Sequence, residues 1–184
     1  QRIVKEVDPA LGVEIRRIAN TFQVMELDAN AHSRAMHQPV LSSRDLGGAF
    51  DGTTYVKGAA VLFMIESWLG EDHFRDGIRR YLEAHSFGNA TTDDLISALQ
   101  EVSKKPVATV MRTFLEQPGS PLISMKTDCS SGIAVRLNLK QKRALPSGSI
   151  ASRHQRWTTP ICIRYGDENI QHRECFVMER SEEE

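Results

Sequence analysis

Few side chains in this sequence are grouped so as to suggest chemistry. Tyr55 stands five residues after Phe50, where a polar, glycine-containing stretch runs into an apolar one. A phenol at such a loop-to-helix junction can project into a cleft and donate a hydrogen bond, or it can simply pack at the helix start. Residue types alone leave both readings open. His32 and His37 are the only close histidine pair. Their spacing of five suits one face of a helix poorly, since metal-binding pairs on helices sit three or four apart. His73, His85, His154 and His172 are scattered and read as surface or helix-end residues. Cys129, Cys162 and Cys175 are odd in number and form no Cys-x-x-Cys, so no disulfide framework is indicated and buried free thiols are expected. The chain has no glycine-rich phosphate loop and no Gly-x-Ser-x-Gly elbow.

The elements that must hold these residues change character near Pro121. Before it the apolar period is helical. Leu11, Ile15, Ile18, Phe22 and Met25 form one stripe of a helix over 9–27, and that stripe needs a partner. A helix over 55–69 is apolar nearly all round and closes at Gly70, which predicts a buried, central position. Phe74, Ile78, Tyr81 and Leu82 mark a third helix. Thr91 with Asp94 makes a capping-box-like start to a fourth, imperfect because Asp replaces Glu or Gln. Pro106 opens a fifth that Pro118-Gly119 stops. After Pro121 short β-type runs over 122–125, 133–139, 160–165 and 175–178 alternate with turn signals, predicting four strands in one open sheet. The acid-free, basic stretch over 130–156 reads as a solvated hairpin loop. The fold class expected is α+β: an all-helical N-terminal part, then a small antiparallel β-sandwich-like sheet.

Composition narrows the partners. The 184 residues carry 23 Lys+Arg against 24 Asp+Glu, a net charge of −1, with 40% hydrophobic and 26% charged residues. That is the balance of a folded globular chain. It lacks the cationic excess that holding a phosphate backbone requires, so no nucleic-acid partner is expected. No apolar run approaches the ~20 residues of a membrane span.

The strongest pattern is Phe50-Asp51-Gly52-Thr53-Thr54-Tyr55-Val56-Lys57-Gly58-Ala59. It resembles the Phe-Asp-x-x-x-Tyr-x-Lys-Gly-Ala segment of the zinc aminopeptidases of the gluzincin group, the membrane-alanyl-aminopeptidase family. The likeness continues in order through Leu69-Gly70-Glu71-Asp72-His73-Phe74, Tyr81-Leu82, the stretch from His85 to Leu95, and Gln117-Pro118-Gly119-Ser120-Pro121-Leu122. The resemblance implies that Tyr55 donates its phenol hydrogen bond to the oxyanion formed at the scissile carbonyl. It implies that Phe50 lines the pocket for the substrate's first side chain. Lys57 and Gly58 match by position and are expected to be structural, Lys57 by pairing or snorkelling and Gly58 by letting another backbone come close.

The departures define the rest of the expectation. The family's His-Glu-x-x-His, its further zinc-ligand Glu and its Gly-x-Met-x-Asn segment are absent from this sequence. The chain, beginning at Gln1 without Met, therefore reads as a fragment. Residues 1–119 would be the helical part of a thermolysin-like peptidase domain and 120–184 the beginning of a β-sandwich domain. Zinc belongs to the full-length parent and none is expected in this chain, which would be inactive alone. The expected partners are the N-terminus of a peptide substrate and the missing N-terminal part of the same protein. A non-catalytic binding or scaffold module reusing the fold is the alternative. First-residue specificity and compartment stay undetermined, the reduced-looking cysteines leaning only slightly to the cytosol.

Overall fold

The computed structural model describes residues 7–38, 42, 51–130 and 135–183. Among these residues a 3-10 turn at Pro9–Leu11 is followed by five helices: α1 Val13–Asp28, α2 Gly52–Leu69, α3 Glu71–Ala84, α4 Thr92–Ser103 and α5 Val107–Leu115. α2 is the pivot and touches α1, α3, α5 and the later β-structure. Its Val61, Ile65, Trp68 and Leu69 are buried with Ile96 and Leu99 of α4 and with Val107, Val110, Met111 and Phe114 of α5. Ile65 and Leu99 are fully buried, each such side chain contributing roughly 1.5–3 kcal/mol. The central place expected for the second helix is thus observed.

α1 departs from expectation. Its apolar stripe faces outward, with Ile15, Ile18 and Phe22 more than half exposed. The face turned to α2 is the 17–21–24–28 line instead. Arg17 lies 4.6 Å over the Phe63 ring, and Val24 and Asp28 are buried. One ion pair at Asp28, described below, holds that face inward against the hydrophobic pattern.

The strands form two sheets rather than one. β1 Pro121–Asp128 pairs antiparallel with β2 Arg136–Arg143, whose other edge takes the two-residue β5 Glu182–Glu183. β3 Thr159–Gly166 and β4 Gln171–Met178 make a separate antiparallel hairpin. The division has a local cause. Gln141 of β2 accepts from Trp157 N at 3.1 Å and donates to Trp157 O at 3.0 Å, and the Trp157 side chain plugs the helical core. The chain is thereby led onto α2 before β3 begins, so β3 does not join the first sheet. β2 also runs further than its apolar residues suggest: its inward positions 137, 139, 141 and 143 end on Gln and Arg, which a hydrophobic pattern does not register. Arg143, expected in a solvated loop, is buried.

The cysteine expectation is corrected as well. Cys162 and Cys175 face each other across β3 and β4 and are joined as a disulfide. Cys129 is exposed rather than buried. Opposite positions on neighbouring strands brought the pair together, a proximity that a sequence separation of 13 does not display. The slight lean toward a reducing compartment loses its basis.

Candidate functional site

Tyr55 sits at the start of α2, and the sequence builds that start from two directions. Asp51 is the N-cap: its carboxylate accepts from Thr54 N at 2.8 Å, supplying one of the acceptors that a helix's first amides otherwise lack. Arg34, from the segment after α1, pairs with Asp51 at 2.8 Å and donates to Thr54 Oγ1 at 2.9 Å. The Thr54 N–H beside Asp51 is the main reason its carboxyl lies below the ordinary carboxylate range, with Arg34 adding to it and burial opposing. The capped turn thus stays anchored down to mildly acidic pH.

Lys57, two residues beyond Tyr55, points the other way, into the protein. Its ammonium pairs with Asp28 at 2.8 Å, both side chains being almost wholly buried. It also donates to Gly119 O at 3.0 Å and Gln117 O at 3.3 Å, so three acceptors meet three ammonium protons. The other Asp28 oxygen accepts from Gly119 N at 2.9 Å. Gly119 has φ +87°, and a Cβ there would lie 2.7 Å from Arg143 Nε. Only glycine suits both conditions. Arg143 in turn donates to Asn30 O and Ser33 Oγ. The end of α1, the second turn of α2 and the Gln117–Gly119 turn are thereby locked at one buried charge centre.

On this base the Tyr55 ring stands 66% exposed, and its hydroxyl has no hydrogen-bond partner among the described residues. Its backbone N–H is bonded to Asp51 O. The phenol is therefore free to donate outward from a fixed backbone. Phe50, the expected pocket residue, lies outside the described residues. Gly58 differs in detail from expectation: a Cβ there would meet the Met36 side chain at 3.3 Å, not another backbone. Met36 belongs to the segment over 31–38, which His37 N pins to Leu115 O at 2.8 Å. His32 and His37 both lie in that segment and are exposed. Among the described residues no three His, Cys, Asp or Glu side chains are grouped so as to hold a metal ion.

Lys57 was legible as a pairing residue, whereas its partner Asp28 and the hub Arg143 were not. Asp28 ends an amphipathic pattern, and Arg143 sits in a basic run; neither position carries a local signal of burial.

Residues 1–114 match the Peptidase family M1 domain. The chain belongs to peptidase family M1. The matched stretch of this M1 chain takes in Tyr55, Lys57 and their Asp28 anchor and stops just short of the end of α5. Aminopeptidase A of Gloydius brevicauda is 36% identical over 150 residues, which is 82% of this chain and 16% of that protein. Aminopeptidase 2, mitochondrial, of Saccharomyces cerevisiae is 31% identical over 177 residues, 96% of this chain and 18% of its own length. Human glutamyl aminopeptidase is 31% identical over 167 residues, covering 91% and 17%. The M1 chain thus spans about one sixth of the length of these curated relatives. The match to the yeast protein is long enough to extend past α5 into the strands.

Proposed function

We propose that this chain is part of a zinc-dependent metallo-aminopeptidase that removes N-terminal residues from peptides, and that Tyr55 is its oxyanion-stabilising donor. Residues 1–119 are read as the helical part of the peptidase domain and 120–184 as the beginning of a β-sandwich domain. The observation that carries the reading is the Tyr55 phenol, exposed and unbonded among the described residues, on a helix start held by the Asp51 cap and the buried Lys57. The family match and the aminopeptidase names of the relatives support it.

As a peptide's scissile carbonyl becomes tetrahedral, its oxygen gains negative charge. A donor already aimed at that oxygen stabilises the transition state more than the ground state. Tyr55 can do this without reorganising its helix. Phe50, five residues earlier, is read as a wall of the pocket for the substrate's first side chain. The described residues do not provide a site for the zinc. Its ligands, and the residues that hold the substrate's free amine, are assigned to the remainder of the parent protein. The 184-residue chain by itself is accordingly read as inactive.

The test is Tyr55→Phe in the full-length enzyme, with steady-state hydrolysis of amino-acid anilides. Loss of one oxyanion donor should lower kcat by ~10²–10³ while KM changes far less. An unchanged kcat would remove Tyr55 from the reaction. A rise in KM alone would make it a packing or substrate-binding residue.

A further inference from the structure

The disulfide in the β3–β4 hairpin lies in an environment that bears on its chemistry. Cys162 and Cys175 are each half-buried and packed against the helical core beside Val177. Arg173, two residues before Cys175, places its guanidinium 3.3 Å from Cys162 Sγ. The same guanidinium donates to the Ser67 carbonyl in the last turn of α2. Lys105 donates to the neighbouring Trp68 carbonyl at 2.9 Å and lies 5.2 Å over the Trp68 ring. Arg173 is close enough to Lys105 to help disfavour its charged form, although burial is the larger cause. Arg164 stands directly across the ladder from Arg173. Only one of the two sulfurs, Cys162, is within hydrogen-bonding reach of a described cation.

A cation beside a sulfur favours its thiolate, and a stabilised thiolate is both a better leaving group and a reason for the reduced state to be more stable. We propose that Cys162–Cys175 is a reversible thiol–disulfide site that exchanges with small thiols, with Cys162 as the departing thiolate held by Arg173. A thiolate of the small-thiol class attacks Cys175 Sγ. The bond between Cys175 and Cys162 breaks, a mixed disulfide forms on Cys175, and Cys162 leaves with the electron pair. A second small thiolate attacks the small-thiol sulfur of that mixed disulfide and releases Cys175, which takes a proton from solvent. Two small thiols are oxidised to their disulfide and the protein pair gains two electrons.

The experiment uses the 184-residue chain carrying Cys129→Ser, which removes the exposed third thiol. The chain is equilibrated against mixtures of reduced and oxidised glutathione, and the oxidised fraction is read by alkylation and intact mass. The expected result is two thiols appearing together within the range of the mixtures. Arg173→Met should move the equilibrium about fivefold toward the disulfide, equivalent to ~20 mV, and Arg173→Lys should move it less. In the reduced chain, brief alkylation followed by peptide mapping should label Cys162 several-fold faster than Cys175, a preference that Arg173→Met abolishes. The proposal is overturned if the pair stays oxidised in the most reducing mixture, if Arg173→Met leaves the midpoint in place, or if Cys175 is labelled first. The labelling order in the chain with Arg173 intact decides the matter even if an Arg173 variant does not fold.

Discussion

Tyr55 and Lys57 stand two positions apart on one helix and meet opposite surroundings. The phenol is exposed, while the ammonium lies 6% exposed against an Asp28 that is 2% exposed. That burial decides what the ion pair is worth. A solvated pair contributes at most about 1 kcal/mol, whereas stripping one partner from a buried pair leaves an uncompensated charge and costs roughly 3–5 kcal/mol. Lys57→Met is therefore expected to lower the unfolding free energy by about 3–5 kcal/mol in urea titrations. It also leaves the Gly119 and Gln117 carbonyls without their donor. A loss under 1 kcal/mol would mean that water reaches the pair and that Lys57 does not fix the base of Tyr55. The motif made Lys57 visible, but only the fold showed which carboxylate it meets, since Asp28 lies on α1 and Lys57 on α2.

At the scale of elements, α4 is the helix most fully specified by its own residues. Thr91 Oγ1 accepts from Asp94 N, and Asp94 accepts from Thr91 N at 2.7 Å, so Asp completes the reciprocal box despite being shorter than Glu. Removing the cap with Thr91→Ala should cost about 1 kcal/mol of stability, read as a lower urea midpoint with an unchanged slope. The Thr91 hydroxyl and amide hold the Asp94 carboxyl below its usual range. A depressed carboxyl contributes stability that is fully present above its unfolded value and is lost as pH falls through its folded value. The difference between the parent chain and Thr91→Ala should thus shrink as the pH is lowered through the acid range below about 4. A difference that persists unchanged there would show that Asp94 is not the partner in the box. α1 is the opposite case. Its hydrophobic stripe pointed to one buried face, yet the face that meets α2 carries Arg17 over the Phe63 ring, Val24, and Asp28 paired with Lys57.

Across the whole molecule the helical and β regions share one apolar core. Trp157, which lies between β2 and β3, is buried among residues of α2, α4 and α5, and Cys162, Cys175 and Val177 pack on the same cluster. Gln117 donates to the carbonyls of Thr113 and Arg156, and Thr158 N donates to Thr113 Oγ1, stitching the α5 end to the approach of β3. Helix loss followed by far-ultraviolet circular dichroism and tryptophan emission should therefore give coincident urea transitions. Two separated transitions would mean that the regions on either side of Gly119 unfold independently.

The sequence by itself determined the five helices, the change of regime near Pro121, the positions of Tyr55 and Lys57 at the start of the apolar helix, and the α+β class. Each of these is written in local signals: apolar period, capping residues, Pro-Gly stops and a short ordered motif. Tertiary structure alone decided that the strands split into two sheets, that Cys162 meets Cys175, that α1 turns its stripe outward, and that Asp28, Gln141 and Arg143 are buried hubs. Those outcomes depend on partners tens of residues away and on polar side chains used inside. The free energy of a buried polar group is set by which group it finds there, something no local pattern of hydrophobicity records.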